Sequence, residues 1–202
     1  MPPSRRAPAE AGPEAPPVPG AGPSQRLFFA LWPGPALQQR LYDTGRALLA
    51  ARIGRRLPPE NLHLTLLFLG AVSAPQRDCL LAAAAAVRAP RFTLRLDTAG
   101  YWRRPQLLWL GCRETPAPLL SLVETVRALA ADCSLTPESR PYVPHLTLVR
   151  KLRRPLRPAA PEAVDWEVDG FALVESRTDA TGARYTPIAS WRFQPALGTA
   201  IR

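Results

Sequence analysis

"NLHLTLLFLG" at residues 61–70 and "VPHLTLVRK" at residues 143–151 share the tetrapeptide His-Leu-Thr-Leu, and the histidines that open it, His63 and His145, are the only two in 202 residues. Side chains alternate across a β-strand with period two. Leu62, Leu64 and Leu66 therefore share one face of the first strand, and His63 and Thr65 share the other. In the second copy Leu146 and Leu148 oppose His145 and Thr147. The leucines are set to anchor each strand in a core, which leaves a His–Thr pair on the opposite face of each.

Both copies stand in a helix–strand context. Apolar spacing predicts helices over 35–52, 74–89 and 117–133, the second capped by Ser73 with Pro75 in its first turn. Strands are expected at 27–32, 61–70, 91–99, 106–112, 143–151, 165–176 and 184–193. "GYWRRP" (100–105) and "TDATGA" (178–183) read as turns, and 152–161 as a basic, proline-rich loop. The order gives an α+β class: a bilobal duplicated fold with two mainly antiparallel sheets facing a central cleft and helices outside. A doubly wound parallel fold would need stricter alternation of strand and helix.

Residues 25–202 are expected to form one bilobal domain. Residues 1–24 hold 8 of the 25 prolines and no aromatic side chain, and read as a disordered tail without the apolar run of a secretory signal. No transmembrane stretch is present; the run at 80–87 is far short of the roughly 20 residues a span needs. Cys79, Cys112 and Cys133 are odd in number and form no C-x-x-C pair, so a disulfide framework or zinc knuckle is not expected and a reducing cytoplasm is the simplest home. The net charge is +10, carried by arginine with Lys151 the one lysine. A body this basic attracts polyanions, and nucleic acid or nucleotide is the natural partner class.

Two imidazoles meeting across a cleft form an acid–base set. An unperturbed histidine titrates near pH 6.5, so near neutrality one ring can accept a proton while the other donates. Threonine hydroxyls and an arginine can hold phosphate oxygens. The matching chemistry is in-line displacement at phosphorus. A zinc site would lack ligands, because no H-E-x-x-H motif is present, and a Ser-His-Asp triad would need one histidine and has no G-x-S-x-G.

The paired H-x-T-x motifs resemble those of the 2H phosphoesterase superfamily. With "RLFFALWP", "GYWRRPQLLWLG", "RPYVPHLTLVRK" and "RYTPIASW" in order, residues 25–193 are similar to the RNA 2′,3′-cyclic phosphodiesterases, also called 2′-5′ RNA ligases. The resemblance implies hydrolysis of an RNA 2′,3′-cyclic phosphate to a 2′-phosphomonoester. It makes His63 the proton donor to the leaving 3′ oxygen and His145 the proton acceptor from water. Thr65 and Thr147 would hold phosphate oxygens and Arg150 would contact phosphate. It implies no metal or organic cofactor; an RNA end as partner, a monomer and no membrane or obligate protein partner are expected. Other substrates remain open: a small cyclic nucleotide, a 2′-5′ linked oligonucleotide, or RNA ends held by a module that turns nothing over.

Further residues have two readings each. Arg153, Arg154 and Arg157, like Arg55–Arg56 and Arg103–Arg104, either steer RNA or belong to solvated loops. Tyr101, Trp102 and Tyr142 could stack on a terminal base. Trp109 and Trp191 are expected in the core. One of Phe28 and Phe29 faces the core and the other the cleft. Asp165, Glu167 and Asp169 share a strand face, as a solvated row or a divalent-metal site. Tyr185-x-Pro187 belongs to the family-like ending without a derivable role.

Overall fold

The structure, a computed structural model, describes residues 24–49, 54–152, 158–179 and 182–193. The proline-rich tail, apart from Ser24, and Arg153, Arg154 and Arg157 lie outside the described residues. The chain runs through β1 (Gln25–Leu31), α1 (Pro35–Leu48), β2 (Arg55–Arg56), a 3₁₀ turn (Pro59–Asn61), β3 (Leu64–Val72), α2 (Ala74–Ala85), β4 (Phe92–Leu96) and β5 (Thr98–Trp102). It continues through β6 (Leu107–Gly111), α3 (Ala117–Asp132), β7 (Leu146–Arg150), β8 (Val164–Val168), β9 (Gly170–Asp179) and β10 (Gly182–Arg192).

The expected α+β architecture is present, with all strand pairs antiparallel. The larger sheet has the order β10-β9-β1-β3-β7-β6-β5, with β2 also paired to β7, and β4 and β8 form a separate two-stranded sheet. The halves of the larger sheet meet at one residue pair, Leu64 opposite Leu146. From there β3 follows β1, while the edge of β7 is taken up by Arg55 and Arg56 of β2. The lobes are not successive halves of the chain. β9 returns to pair with β1, so the last two strands complete the sheet that the first strand began.

The helices cross over in the same way. α1, which precedes β3, packs on β7, with Gly45 against Leu148; α3, which precedes β7, packs on β3. Their buried residues, Leu41 of α1 and Leu119, Leu122, Val123, Val126 and Leu129 of α3, join Leu64, Leu66, Leu146 and Leu148 in one core. α2 begins as expected at Ser73, where Gln76 Oε1 accepts hydrogen bonds from the Ser73 backbone N–H and hydroxyl.

Three expectations need correction. First, Cys79 and Cys133 form a disulfide across α2 and α3. Spacing along the chain does not reveal that these helices lie side by side, with Cα atoms 5.8 Å apart. An odd cysteine count leaves room for one bridge, with Cys112 free, so the cysteine argument for a reducing compartment has no footing. Second, Gly100–Trp102 are strand, not turn: Tyr101 pairs with Leu108 and Trp102 with Leu107, and the turn is 103–106. Third, the strand expected at 165–176 breaks at Asp169, because β8 pairs with β4 in the small sheet and β9 with β1 in the large one. No helix among the described residues is long and apolar enough to cross a membrane.

Candidate active site

The Leu64–Leu146 pair sets the site. In an antiparallel pair, the residue before one partner faces the residue after the other. His63 therefore lies across from Thr147, and Thr65 across from His145, all four on the face opposite the leucines. The histidines stand at the entrances of their strands, which brings both His–Thr pairs to the line where the lobes join.

Each strand then carries a bulge one residue past its threonine. Ala30 pairs with Thr65 but Phe29 with Leu67, so Leu66 is the extra residue in β3. Trp109 pairs with Thr147 but Leu108 with Val149, so Leu148 is the extra residue in β7. A bulge inserts one residue and resets the alternation. Leu66 and Leu67 both enter the core, as do Leu148 and Val149. The next residues, Phe68 and Arg150, emerge on the cleft face. Phe68 packs 5.8 Å from Phe28, and the Arg150 guanidinium donates to the Tyr185 hydroxyl at 3.1 Å. The bulge explains why an arginine five positions after His145 shares its face. It also makes the repeated motif unequal: an aromatic ring in the first copy stands where a cation stands in the second.

His63 sits in an aromatic cage. The Trp32 ring stacks on it at 5.4 Å and an interplanar angle of 9°, Phe28 lies at 4.9 Å, and Tyr185 meets it edge-on at 4.9 Å. Trp102 meets His145 edge-on at 4.6 Å and is itself packed on Trp109. The rings are 8% and 9% exposed, but neither is sealed in. Nδ1 of His63 lies 2.7 Å from the Asn61 carbonyl, and Nδ1 of His145 lies 2.8 Å from the Val143 carbonyl. A carbonyl only accepts, so Nδ1 carries the hydrogen in both rings and Nε2 is left with its lone pair. Neither Nε2 is a buried orphan among the described residues; both remain open to solvent.

Burial pushes His63 down to about 4, with the Arg150 charge and the His145 ring adding to the effect against the Asn61 hydrogen bond. His145 is lowered by burial and by Arg150, against the Val143 hydrogen bond. The expectation of ordinary histidines near pH 6.5 is therefore corrected: both rings are neutral at pH 7 in the free protein. An incoming anion would offset Arg150 and favour the imidazolium.

The structure gathers His63, Thr65, His145, Thr147 and Arg150. Trp102 is buried against His145, a position that fixes the imidazole. The Tyr142 hydroxyl donates to the Thr65 carbonyl at 3.0 Å, and Tyr142 borders a small hollow with Thr65, Phe68 and His145. Burial holds its phenol well above the usual range, so it stays a donor. The Tyr101 hydroxyl donates to the Leu152 carbonyl at 3.2 Å. Phe28 is the phenylalanine that faces the cleft, while Phe29 packs in the core with Phe171 and Trp191. Trp109 lies over Gly100 beside the site, where a Cβ would come within 2.1 Å of its ring. Arg103 and Arg104 lie in the exposed β5–β6 turn. Asp165, Glu167 and Asp169 are engaged with Arg95, Thr93 and Arg192. Among the described residues no three or more His, Cys, Asp or Glu side chains are grouped to hold a metal.

Trp32 and Phe68 went unread in the sequence, and Tyr185 was singled out there without a role. Trp32 was within reach, since Phe28, Ala30 and Trp32 follow the strand alternation. Phe68 lies beyond a bulge and Tyr185 arrives on a returning strand, so neither leaves a local signal.

The family described as the 2′-5′ RNA ligase superfamily matches residues 34–180. The chain is 36% identical over 169 residues to the RNA 2′,3′-cyclic phosphodiesterase of Escherichia coli (strain K12), covering 83% of this chain and 96% of that one. It is 32% identical over 185 residues to the enzyme of the same name from Thermus thermophilus, covering 86% and 92%. A crystal structure of E. coli LigT complexed with 3′-AMP superposes with a TM-score of 0.79 at 35% identity, covering 85% of this chain and 99% of that one.

Proposed function

The chain belongs to the 2′-5′ RNA ligase superfamily, and from that membership and the paired imidazoles we propose that it hydrolyses RNA 2′,3′-cyclic phosphate ends to 2′-phosphomonoesters. The observation that carries this reading is the convergence of two His–Thr pairs and Arg150 on one face at the Leu64–Leu146 junction. Nε2 of His145, neutral at pH 7, takes a proton from the attacking water. The water oxygen bonds to phosphorus as the bond to the ribose 3′ oxygen breaks. Nε2 of His63, protonated once the phosphate is bound, gives its proton to that leaving oxygen, and the phosphate stays on the 2′ oxygen. The Thr65 and Thr147 hydroxyls donate to the non-bridging oxygens and Arg150 offsets the charge gathering there. Tyr185 holds Arg150 in place. If a 5′-hydroxyl takes the place of water, the same proton transfers join two RNA ends through a 2′-5′ linkage.

All the groups that this scheme uses come from one chain, which acts on its own as a single domain. An oligonucleotide with a 2′,3′-cyclic end tests the reading. The expected product carries a 2′-phosphate alone; a 3′-phosphate, or no turnover of any cyclic end, contradicts it.

A further inference from the structure

A groove of about 750 Å³ opens on the outer side of Tyr185, walled by β2, the end of β7 and the start of β10. Among the described residues that line it, the cations are Arg55, Arg56, Arg150, Lys151 and Arg184, and the carboxylate is Glu60. It is continuous with the active site through Arg150 and Tyr185. Asn61 binds the two together: its carbonyl accepts from His63, and its side-chain amide donates to the Ala183 carbonyl on the groove wall.

Seven described arginines, among them Arg46, Arg95, Arg127 and Arg192, are paired with carboxylates, and none of the seven lines this groove. Arg56, Lys151 and Arg184 make no ion pair with a described carboxylate. Like charges crowded in one groove repel one another unless a polyanion lies between them, and guanidinium forks suit phosphate oxygens. A 2′,3′-cyclic phosphate occupies both lower ribose oxygens, so the rest of an RNA strand can leave the terminal nucleotide only through its 5′ oxygen.

We propose that this groove is a track for the successive phosphates on the 5′ side of the terminal nucleotide, which makes the enzyme prefer the ends of RNA strands over cyclic mononucleotides. The inference rests on the proposed cyclic phosphodiesterase activity. It is tested by measuring kcat and KM for adenosine 2′,3′-cyclic phosphate and for a pentanucleotide with the same end, across a salt series. The pentanucleotide's kcat/KM should fall with a log–log slope of about 0.7 per phosphate held, while the mononucleotide's stays nearly flat. The double variant Lys151→Gln, Arg184→Gln should reduce the pentanucleotide slope by about 1.4 and raise its KM about tenfold, leaving mononucleotide kcat and KM within about twofold. Glu60→Gln, which removes the opposing charge, should lower the pentanucleotide KM.

Equal salt slopes for the two substrates, or equal losses on both in the double variant, would overturn the track. If neither substrate is turned over, the cyclic phosphodiesterase reading fails instead. Equilibrium binding of the pentanucleotide then judges the groove separately: an unchanged salt slope in the double variant overturns it, and a reduced slope supports it.

Discussion

The ionisation of two side chains governs the chemistry. His63 and His145 are held neutral by burial and by the Arg150 charge. Because they are the only histidines in the chain, their imidazole resonances can be followed by NMR without interference. Both should titrate below the ordinary value near 6.5, His63 at about 4. Inorganic phosphate should raise both, and Arg150→Gln should raise both without ligand. A His63 titration near 6.5 in the free protein would contradict the cage described around it. The same shifts act on stability. The folded-state values lie below the unfolded ones, so the unfolded chain binds more protons as pH drops. The stabilisation is complete above about pH 6.5 and is lost as pH falls towards the folded-state values, with His63 contributing on the order of 3 kcal/mol. The sequence exposed both rings as candidates. It could not expose their ionisation, because Phe28 and Trp32 reach His63 from the first strand and its end, and Tyr185 from the last strand.

At the level of elements, a repeated bulge places the site's less obvious groups. Strict alternation predicts the faces of His63, Thr65, His145 and Thr147, and the structure has them so. It fails two residues later in both strands, at Leu67 and Val149, because the inserted Leu66 and Leu148 swap the faces beyond them. A bulge depends on register with a partner strand, which one strand's own sequence does not contain. Arg150 was recovered by resemblance, whereas Phe68 had no such guide. The α2–α3 disulfide escaped for a similar reason, since two amphipathic helices do not declare which neighbour each will meet. Closing 54 residues of chain between Cys79 and Cys133 should stabilise the fold by up to about 4 kcal/mol through the unfolded state. Dithiothreitol, or Cys79→Ser with Cys133→Ser, should therefore lower the urea midpoint. Three titratable thiols in the untreated, denatured protein, or a midpoint indifferent to reductant, would show that the bridge does not form.

Across the whole molecule, exchange between the lobes ties the two motifs together. α1 supports the strand of the second motif, α3 that of the first, and β9 and β10 carry Tyr185 back to contact both His63 and Arg150. Neither lobe can move far without disturbing the other's site. The antiparallel α+β class and the convergence of both motifs were legible from element order and from the repeat. The return of the last strands to the first was not, because pairing between distant segments leaves no local trace. The most direct test of the account is a double-mutant cycle on turnover of a 2′,3′-cyclic-ended oligonucleotide. His63→Ala and His145→Ala should each lower kcat by about 10²–10⁴-fold. The double variant should fall little below the worse single one, since two groups sharing one transition state are not additive. Near-normal turnover in either single variant, or losses that multiply in full, would contradict two imidazoles acting together on one phosphorus.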